Sequence, residues 1–107
     1  MSRFGEVLER LAVVIQSRRG GDPAKSWSAR LLADRPLAAK KLAEEALEAA
    51  LAAVQGDREA LAAESADLIY HWLVVLAAEG VSLDEVAARL EAREGVSGVA
   101  EKAGRKR

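Results

Sequence analysis

The 107-residue sequence contains no cysteine, a single histidine and only 4% aromatic residues. The missing cysteine excludes disulfides, zinc-thiolate sites and cysteine nucleophiles. Sixteen basic and 17 acidic residues nearly cancel, so we expect neither nucleic acid nor a membrane surface as a partner. The longest near-apolar run, 68–78, contains His71 and is too short to span a bilayer. The N-terminus shows no signal-peptide block, and the expected location is the cytoplasm.

What the sequence does contain is alanine and charge. Half of its residues are hydrophobic and 31% are charged, and alanine, glutamate, lysine and arginine all favour helices. The length allows one domain. An alanine-rich core is thin for so short a chain, so we expect a homodimer whose two copies share one core.

Five helices are predicted from apolar spacing, caps and breakers, and no stretch has the pattern of a strand. Ser26, Asp34, Asp57 and Ser82 are the expected N-caps, and Gly56 and Gly80 the expected stops. The predicted helices cover 3–18, 26–32, 36–55, 58–79 and 83–93. The fold class is therefore all-α: a domain over residues 1–94, built on a central antiparallel hairpin, followed by a flexible basic tail over 95–107.

Acidic residues form two clusters on the helices of this hairpin. The clusters are Glu44-Glu45-x-x-Glu48 and Glu64-x-x-Asp67, and residues three or four apart share a helix face. Four carboxylates brought together repel one another unless a cation lies among them. Hard oxygen ligands suit Mg²⁺, with Mn²⁺ as a second candidate.

The distances from the turn favour particular pairs across the hairpin. Glu48 and Glu64 each lie eight residues from Gly56, and Glu45 and Asp67 each lie eleven. At about 1.5 Å per residue, the two members of a pair stand at similar height. Glu45, Glu48, Glu64 and Asp67 are therefore the predicted metal ligands, and Glu45 is favoured over Glu44 for direct contact with the metal.

The competing interpretation is a solvated acidic face, which is common on glutamate-rich helices. Glu64 and Asp67, however, lie in the most apolar helix of the chain, beside its Leu61, Leu68 and Trp72 stripe. Carboxylates at the edge of a hydrophobic core lower the stability of the fold unless they bind a partner.

With these motifs the sequence resembles the phosphoribosyl-ATP pyrophosphatase family, part of the MazG-like all-α nucleotide pyrophosphohydrolases. The resemblance covers 4–93 and rests on the acidic pattern together with Lys40-Lys41, Tyr70-His71 and the segment 26–32. Trp27 and Arg30 stand where the family more often has tyrosine and lysine, and no departure touches an acidic position. The resemblance implies a helical homodimer that uses Mg²⁺ to hydrolyse phosphoribosyl-ATP to phosphoribosyl-AMP and pyrophosphate in histidine biosynthesis.

The mechanism that follows assigns catalytic roles to Glu44 and Glu45. Metal ions on the four ligands would neutralise the polyphosphate and lower the pKa of a water, while Glu44 would act as a base or orient a ligand. Positive charge and hydroxyls near the cluster are expected to hold the substrate phosphates. These candidate phosphate-binding residues are Arg30, Lys40, Lys41, Ser26 and Ser28.

Several side chains near the site also have a simpler, structural interpretation. Trp27 is a candidate for stacking on the base, but core or dimer packing is favoured, and His71 is expected to be a packing residue that does not bind the metal. The remaining candidates for the core on the fourth helix are Leu68, Tyr70, Trp72 and Leu76.

Two alternative functions stay open. A broader nucleotide pyrophosphohydrolase would hydrolyse simple nucleoside triphosphates readily. A non-enzymatic helical interaction module would show no Mg²⁺-dependent stabilisation. Mg²⁺ raises the stability of a protein by mass action if it binds the folded state, and such a module would have no site for it.

Overall fold

The computed structural model describes residues 2–95, and this part of the chain consists of α-helices joined by short turns, without a β-strand. The all-α prediction is confirmed, and the helix bounds lie close to the predicted ones. The predicted basic tail over 95–107, apart from Gly95, lies outside the described residues and stays a prediction. The helices are α1 (Arg3–Ser17), α2 (Trp27–Leu32), α3 (Arg35–Val54), α4 (Arg58–Glu79) and α5 (Leu83–Glu91).

The predicted caps begin the helices that position the site. The side chains of Ser26, Asp34 and Asp57 each accept a hydrogen bond from the backbone N–H three residues further on. Between α3 and α4 the chain turns at Gly56, whose φ of 71° is left-handed. Such a conformation costs a residue with a Cβ atom about 1–2 kcal/mol, which favours glycine here.

α3 and α4 form the predicted antiparallel hairpin, which is the most extensive contact between two helices in the described chain. At its open end, the Arg35 guanidinium donates two hydrogen bonds to the Glu79 carboxylate, at 2.6 and 2.7 Å. Arg19, at the end of α1, donates to the backbone carbonyl of Ala77 near the end of α4. The start of α3 and the end of α1 are thus both held against the last turn of α4.

The core is small, as expected from the composition. Among residues 2–95 it comprises eight buried hydrophobic residues, and four of them are alanines. The four predicted core residues of α4 are only half-buried in the single chain, because the faces they occupy are not all covered by another helix. The buried residues are Ile15, Ala29, Leu31, Ala38, Ala49, Ala52, Leu73 and Val74.

α4 is long and apolar enough to cross a bilayer by length and composition, with a mean hydropathy of 1.3 in its most apolar window. The apolar stretch is thus longer than the 68–78 run seen in the sequence. Only 17% of that window is buried within the chain, although central helices of soluble bundles are usually well covered. Apolar surface on α4 therefore remains available for a partner.

Candidate metal and phosphate site

Three carboxylates converge at the centre of the hairpin. Glu45 and Glu48 project from one face of α3, Glu64 projects from α4, and one oxygen of each lies within 4.8 Å of the others. The equal height of Glu48 and Glu64, counted from Gly56, brings these two together as the sequence predicted. An oxygen-only cluster of this size has the chemistry of a magnesium or manganese site.

The cluster is partly shielded from solvent: Glu48 is exposed, but Glu45 and Glu64 are half-buried. Oxygen Oε2 of Glu45 and Oε2 of Glu64 are both buried and have no hydrogen-bond partner among the described residues. A buried polar atom without a partner is costly, and a bound cation would supply the missing partner to both. The donor set therefore fits a divalent metal.

Crowding of the three acids also changes their protonation. A hydrogen bond shared with Glu48, then burial, then the negative charges of Glu48 and Glu45 raise the pKa of Glu64 from its usual 4.5 to about 7. Without a cation, the cluster thus relieves part of its repulsion by keeping a proton near neutral pH. A metal ion bound to the cluster would compete with that proton for the same oxygens.

Glu44 and Asp67 lie outside this group of three. Glu44 pairs with Lys41, with 3.2 Å between the carboxylate Oε1 and the ammonium Nζ. Glu45 lies in the group of three and Glu44 does not, but the height argument also paired Glu45 with Asp67, which lies outside it, and direct contact of Glu45 with a metal stays a prediction. Asp67 is exposed one turn beyond Glu64, and its side chain is one methylene shorter than that of glutamate. Its role as a fourth ligand stays a prediction.

A cationic and aromatic pair lies on α2, the short helix before the hairpin. The Arg30 guanidinium carbon is 5.6 Å from the centre of the Trp27 ring, which is a cation–π contact. Trp27 is 43% exposed, so it is not part of the core of the single chain, and its packing against a second copy stays a prediction. Both side chains are accessible to a ligand, as is Lys40 on α3.

Similarity to known proteins identifies the family of this chain. Residues 8–94 match the family model of phosphoribosyl-ATP pyrophosphohydrolase. The chain belongs to this family. It is 63% identical to a phosphoribosyl-ATP pyrophosphatase of Caulobacter vibrioides over 103 residues, 96% of each chain. It is 60% identical to one of Cereibacter sphaeroides, over 92% of this chain and 97% of that one. The resemblance noted in the sequence is thereby confirmed.

The two serines predicted to bind phosphate in this member of the family have partners within the protein. Ser26 Oγ accepts from the backbone N–H of Ala29, at 3.1 Å, as the cap of α2. Ser28 Oγ lies 2.5 Å from the hydroxyl of Tyr70 on α4. Sequence reasoning missed Tyr70 as a polar residue. The signal was there, since a tyrosine hydroxyl on an apolar helix usually finds a hydrogen-bond partner.

His71 is a packing residue, as predicted. It is buried, its Nδ1 lies 2.7 Å from the backbone carbonyl oxygen of Asp67, and its ring meets that of Tyr70 edge to face. Its other ring nitrogen, Nε2, is buried and has no hydrogen-bond partner among the described residues. The contact with Asp67 uses the main chain and leaves the carboxylate free.

Proposed function

We propose that this member of the family hydrolyses phosphoribosyl-ATP to phosphoribosyl-AMP and pyrophosphate, the step of histidine biosynthesis after which its relatives are named. The observation that carries the proposal is the convergence of Glu45, Glu48 and Glu64 within 4.8 Å, with two buried carboxylate oxygens that have no partner among the described residues. A substrate with several phosphate groups brings negative charge, so a site built of carboxylates needs cations to receive it.

Mg²⁺ is the proposed cofactor, with Mn²⁺ as a substitute. Glu45, Glu48 and Glu64 would hold it, and Asp67 would complete the set. When bound, a divalent cation neutralises charge on the phosphoanhydride and makes water a better nucleophile near neutral pH. The raised pKa of Glu64 supports a site that exchanges a proton for a metal ion.

The chain's own side chains hold and orient the substrate. Arg30 can grip a phosphate through two N–H groups, which a lysine cannot do. Lys40 and Lys41 add positive charge at the cluster, and Lys41 is already paired with Glu44. Glu44 would take a proton from the attacking water or fix a neighbouring ligand, and Glu45 would hold the metal.

The proposed sites on α2 complete the substrate's binding. Ser26 and Ser28 lie in the segment that precedes the hairpin. We keep Ser26 as a candidate phosphate contact beside its role as a cap, whereas Ser28 could bind phosphate only if its hydroxyl left Tyr70. Trp27 presents an exposed ring next to Arg30, which supports stacking on the base. This arrangement would place base and phosphates along one side of the molecule.

The deciding experiment measures pyrophosphate release from phosphoribosyl-ATP, with dUTP and ordinary nucleoside triphosphates as competing substrates. We expect turnover with Mg²⁺, none with EDTA, and a strong preference for phosphoribosyl-ATP. The Glu64→Gln variant should be inactive. Glu59→Gln, an exposed glutamate in the first turn of the same helix, serves as the matched control and should keep activity.

Each alternative function predicts a different result. Equal hydrolysis of simple nucleoside triphosphates would indicate a broader pyrophosphohydrolase. A protein with no turnover and no Mg²⁺-dependent rise in melting temperature would be an interaction module, since a metal that binds the folded state must stabilise it.

A homodimer in the cytoplasm, without a nucleic-acid or membrane partner, completes the proposal. Leu47, Leu51 and Val54 are exposed and follow one another at spacings of four and three on α3, so they form a stripe opposite the alanines that face α4. Exposed apolar patches of this kind mark interaction sites. We assign this stripe and the uncovered part of α4 to a second copy of the chain.

A further inference from the structure

We propose that Tyr70 is a positioning residue: its hydroxyl holds Ser28, and through it α2 with Arg30, against the acidic hairpin. The inference rests on the proposed function, because it concerns how the substrate-binding side chains are held. It starts from the contact between Ser28 Oγ and the Tyr70 hydroxyl, which are 2.5 Å apart across 42 residues of sequence.

This hydrogen bond is the one side-chain hydrogen bond between α2 and another helix within residues 2–95. α2 has six residues, and so short a helix has little stability of its own. Its Ala29 and Leu31 are buried, but apolar packing is not directional and tolerates small rotations. A short, part-buried hydrogen bond fixes the rotation of α2, and with it the direction of Arg30.

The Tyr70 hydroxyl is itself held in place. Its ring meets the His71 ring edge to face, with centroids 4.9 Å apart at 87°. His71 is buried and bonded through Nδ1 to the carbonyl of Asp67. Tyr70 also lies six residues after Glu64 on the same helix, so the part of α4 that bears the acidic side chains also sets where α2 lies.

The contact gives Ser28 a role different from direct phosphate binding. A hydroxyl engaged with Tyr70 fixes α2, whereas a phosphate ligand must turn towards the substrate. These two roles predict different kinetics for Ser28→Ala and Tyr70→Phe, because only in the first role do both changes break the same interaction.

The test compares Ser28→Ala, Tyr70→Phe and the double variant in the full-length protein with Mg²⁺. We expect KM for phosphoribosyl-ATP to rise in each single variant by on the order of three- to ten-fold, the size of one hydrogen bond. kcat and the Mg²⁺ concentration for half-maximal activity should stay unchanged. The double variant should be no worse than either single one. Ser28→Thr, which keeps a hydroxyl, should lie closer to wild type than Ser28→Ala.

Ser17→Ala is the matched control, because it removes a serine hydroxyl that is bonded 2.5 Å from the Val14 carbonyl on α1, with no contact to α2. It should leave KM unchanged. The proposal is overturned if the two single effects add, if Ser28→Ala is much worse than Tyr70→Phe, or if kcat falls while KM does not.

A second readout separates this proposal from the proposed function. Hydrogen–deuterium exchange of the α2 amides needs no substrate, and it should accelerate in both single variants but not in Ser17→Ala. If the wild type fails to hydrolyse phosphoribosyl-ATP while α2 exchange still accelerates, the function fails and the positioning contact stands. Unchanged exchange in Tyr70→Phe refutes the contact whatever the activity.

Discussion

At the scale of single residues, the site depends on how one hairpin distributes its acids. Glu45, Glu48 and Glu64 converge, whereas Glu44 turns to Lys41 and forms an ion pair. Neighbouring residues on a helix point about 100° apart, so Glu44 and Glu45 face different surroundings. The difference between Glu44 and Glu45 therefore follows from helix geometry and is open to direct measurement.

Neutral amides at the ligand positions should abolish turnover. Removing a metal-binding carboxylate takes away charge and geometry together, so kcat/KM at saturating Mg²⁺ should fall by more than about 100-fold. Glu44→Gln should cost about 10–100-fold, as is typical of groups that orient a ligand. A Glu44→Gln variant as inactive as Glu45→Gln would contradict the separation of roles. The variants to compare are Glu45→Gln, Glu48→Gln, Glu64→Gln and Asp67→Asn.

The stability of the metal-free protein should fall as pH rises from about 5 to about 7.5. Glu64 has a pKa of about 7 in the folded protein against a usual 4.5, so the folded state binds more protons in this window. The stabilisation is complete below about 4.5 and is lost as pH rises through about 7. The lowered pKa of Glu85, caused by its hydrogen bonds in the Ser82 cap, acts only at lower pH and with the opposite sign.

This pH dependence is measured as melting temperature in EDTA, in the wild type and in Glu64→Gln. The amide cannot titrate, so the variant should show a flatter profile. Saturating Mg²⁺ should flatten the wild-type profile as well, because the metal displaces the proton. Parallel profiles for wild type and variant would show that Glu64 does not cause the pH dependence of the melting temperature.

At the scale of helices, caps and helix stops predicted the fold well, whereas contacts between residues far apart in the sequence could not be predicted. Caps such as Asp34 and Asp57 and the stop at Gly56 act within one turn, so sequence alone locates them. The Arg35–Glu79 ion pair and the Ser28–Tyr70 hydrogen bond join positions more than 40 residues apart. The apolar surroundings of Tyr70 indicate that its hydroxyl needs a partner, but nothing local in the sequence identifies Ser28 as that partner or Glu79 as the partner of Arg35.

The core and the site were each predicted only in part, because the sequence gives the position of a residue along its helix but not what packs against it. The turn length fixed the heights of Glu48 and Glu64, which indeed meet. How far a side chain reaches, and whether a second element covers it, depends on packing. Trp27 was therefore assigned to the core although it is exposed in the single chain, whereas Trp72 does pack against the core while staying half-buried.

The turn between α3 and α4 sets the register of the acidic residues and can be tested alone. Gly56→Ala should lower the free energy of unfolding by about 1 kcal/mol, because its φ is 71° and no atom within 4 Å would clash with the new Cβ. The melting temperature should fall by roughly 4–8 °C. Gly5→Ala, within α1, is the control and should not destabilise the protein. Equal effects of both changes would rule out a strained turn.

At the scale of the whole molecule, the thin core and the exposed apolar stripe of Leu47, Leu51 and Val54 both predict a dimer. Eight buried hydrophobic residues, half of them alanine, leave α4 poorly covered, and a symmetric dimer would bury the same surface on both copies. Because the dimer would be symmetric, one substitution in that stripe would place two carboxylates in the interface. Dimer stability and folding should then change together.

Leu47→Glu should dissociate the dimer, and Leu90→Glu should not. The two leucines are 60% and 61% exposed in the single chain, but Leu90 lies on α5, away from the stripe. Burying one leucine side chain contributes about 1.5–3 kcal/mol, so losing two weakens dimer affinity by at least about 100-fold. Light scattering after size exclusion, across a range of protein concentrations, measures the shift. The melting temperature of Leu47→Glu should also fall below that of the wild type, because association stabilises the folded state by mass action. A wild type that stays a folded monomer at micromolar concentration, or equal behaviour of the two variants, would contradict the assignment of this stripe to a second copy.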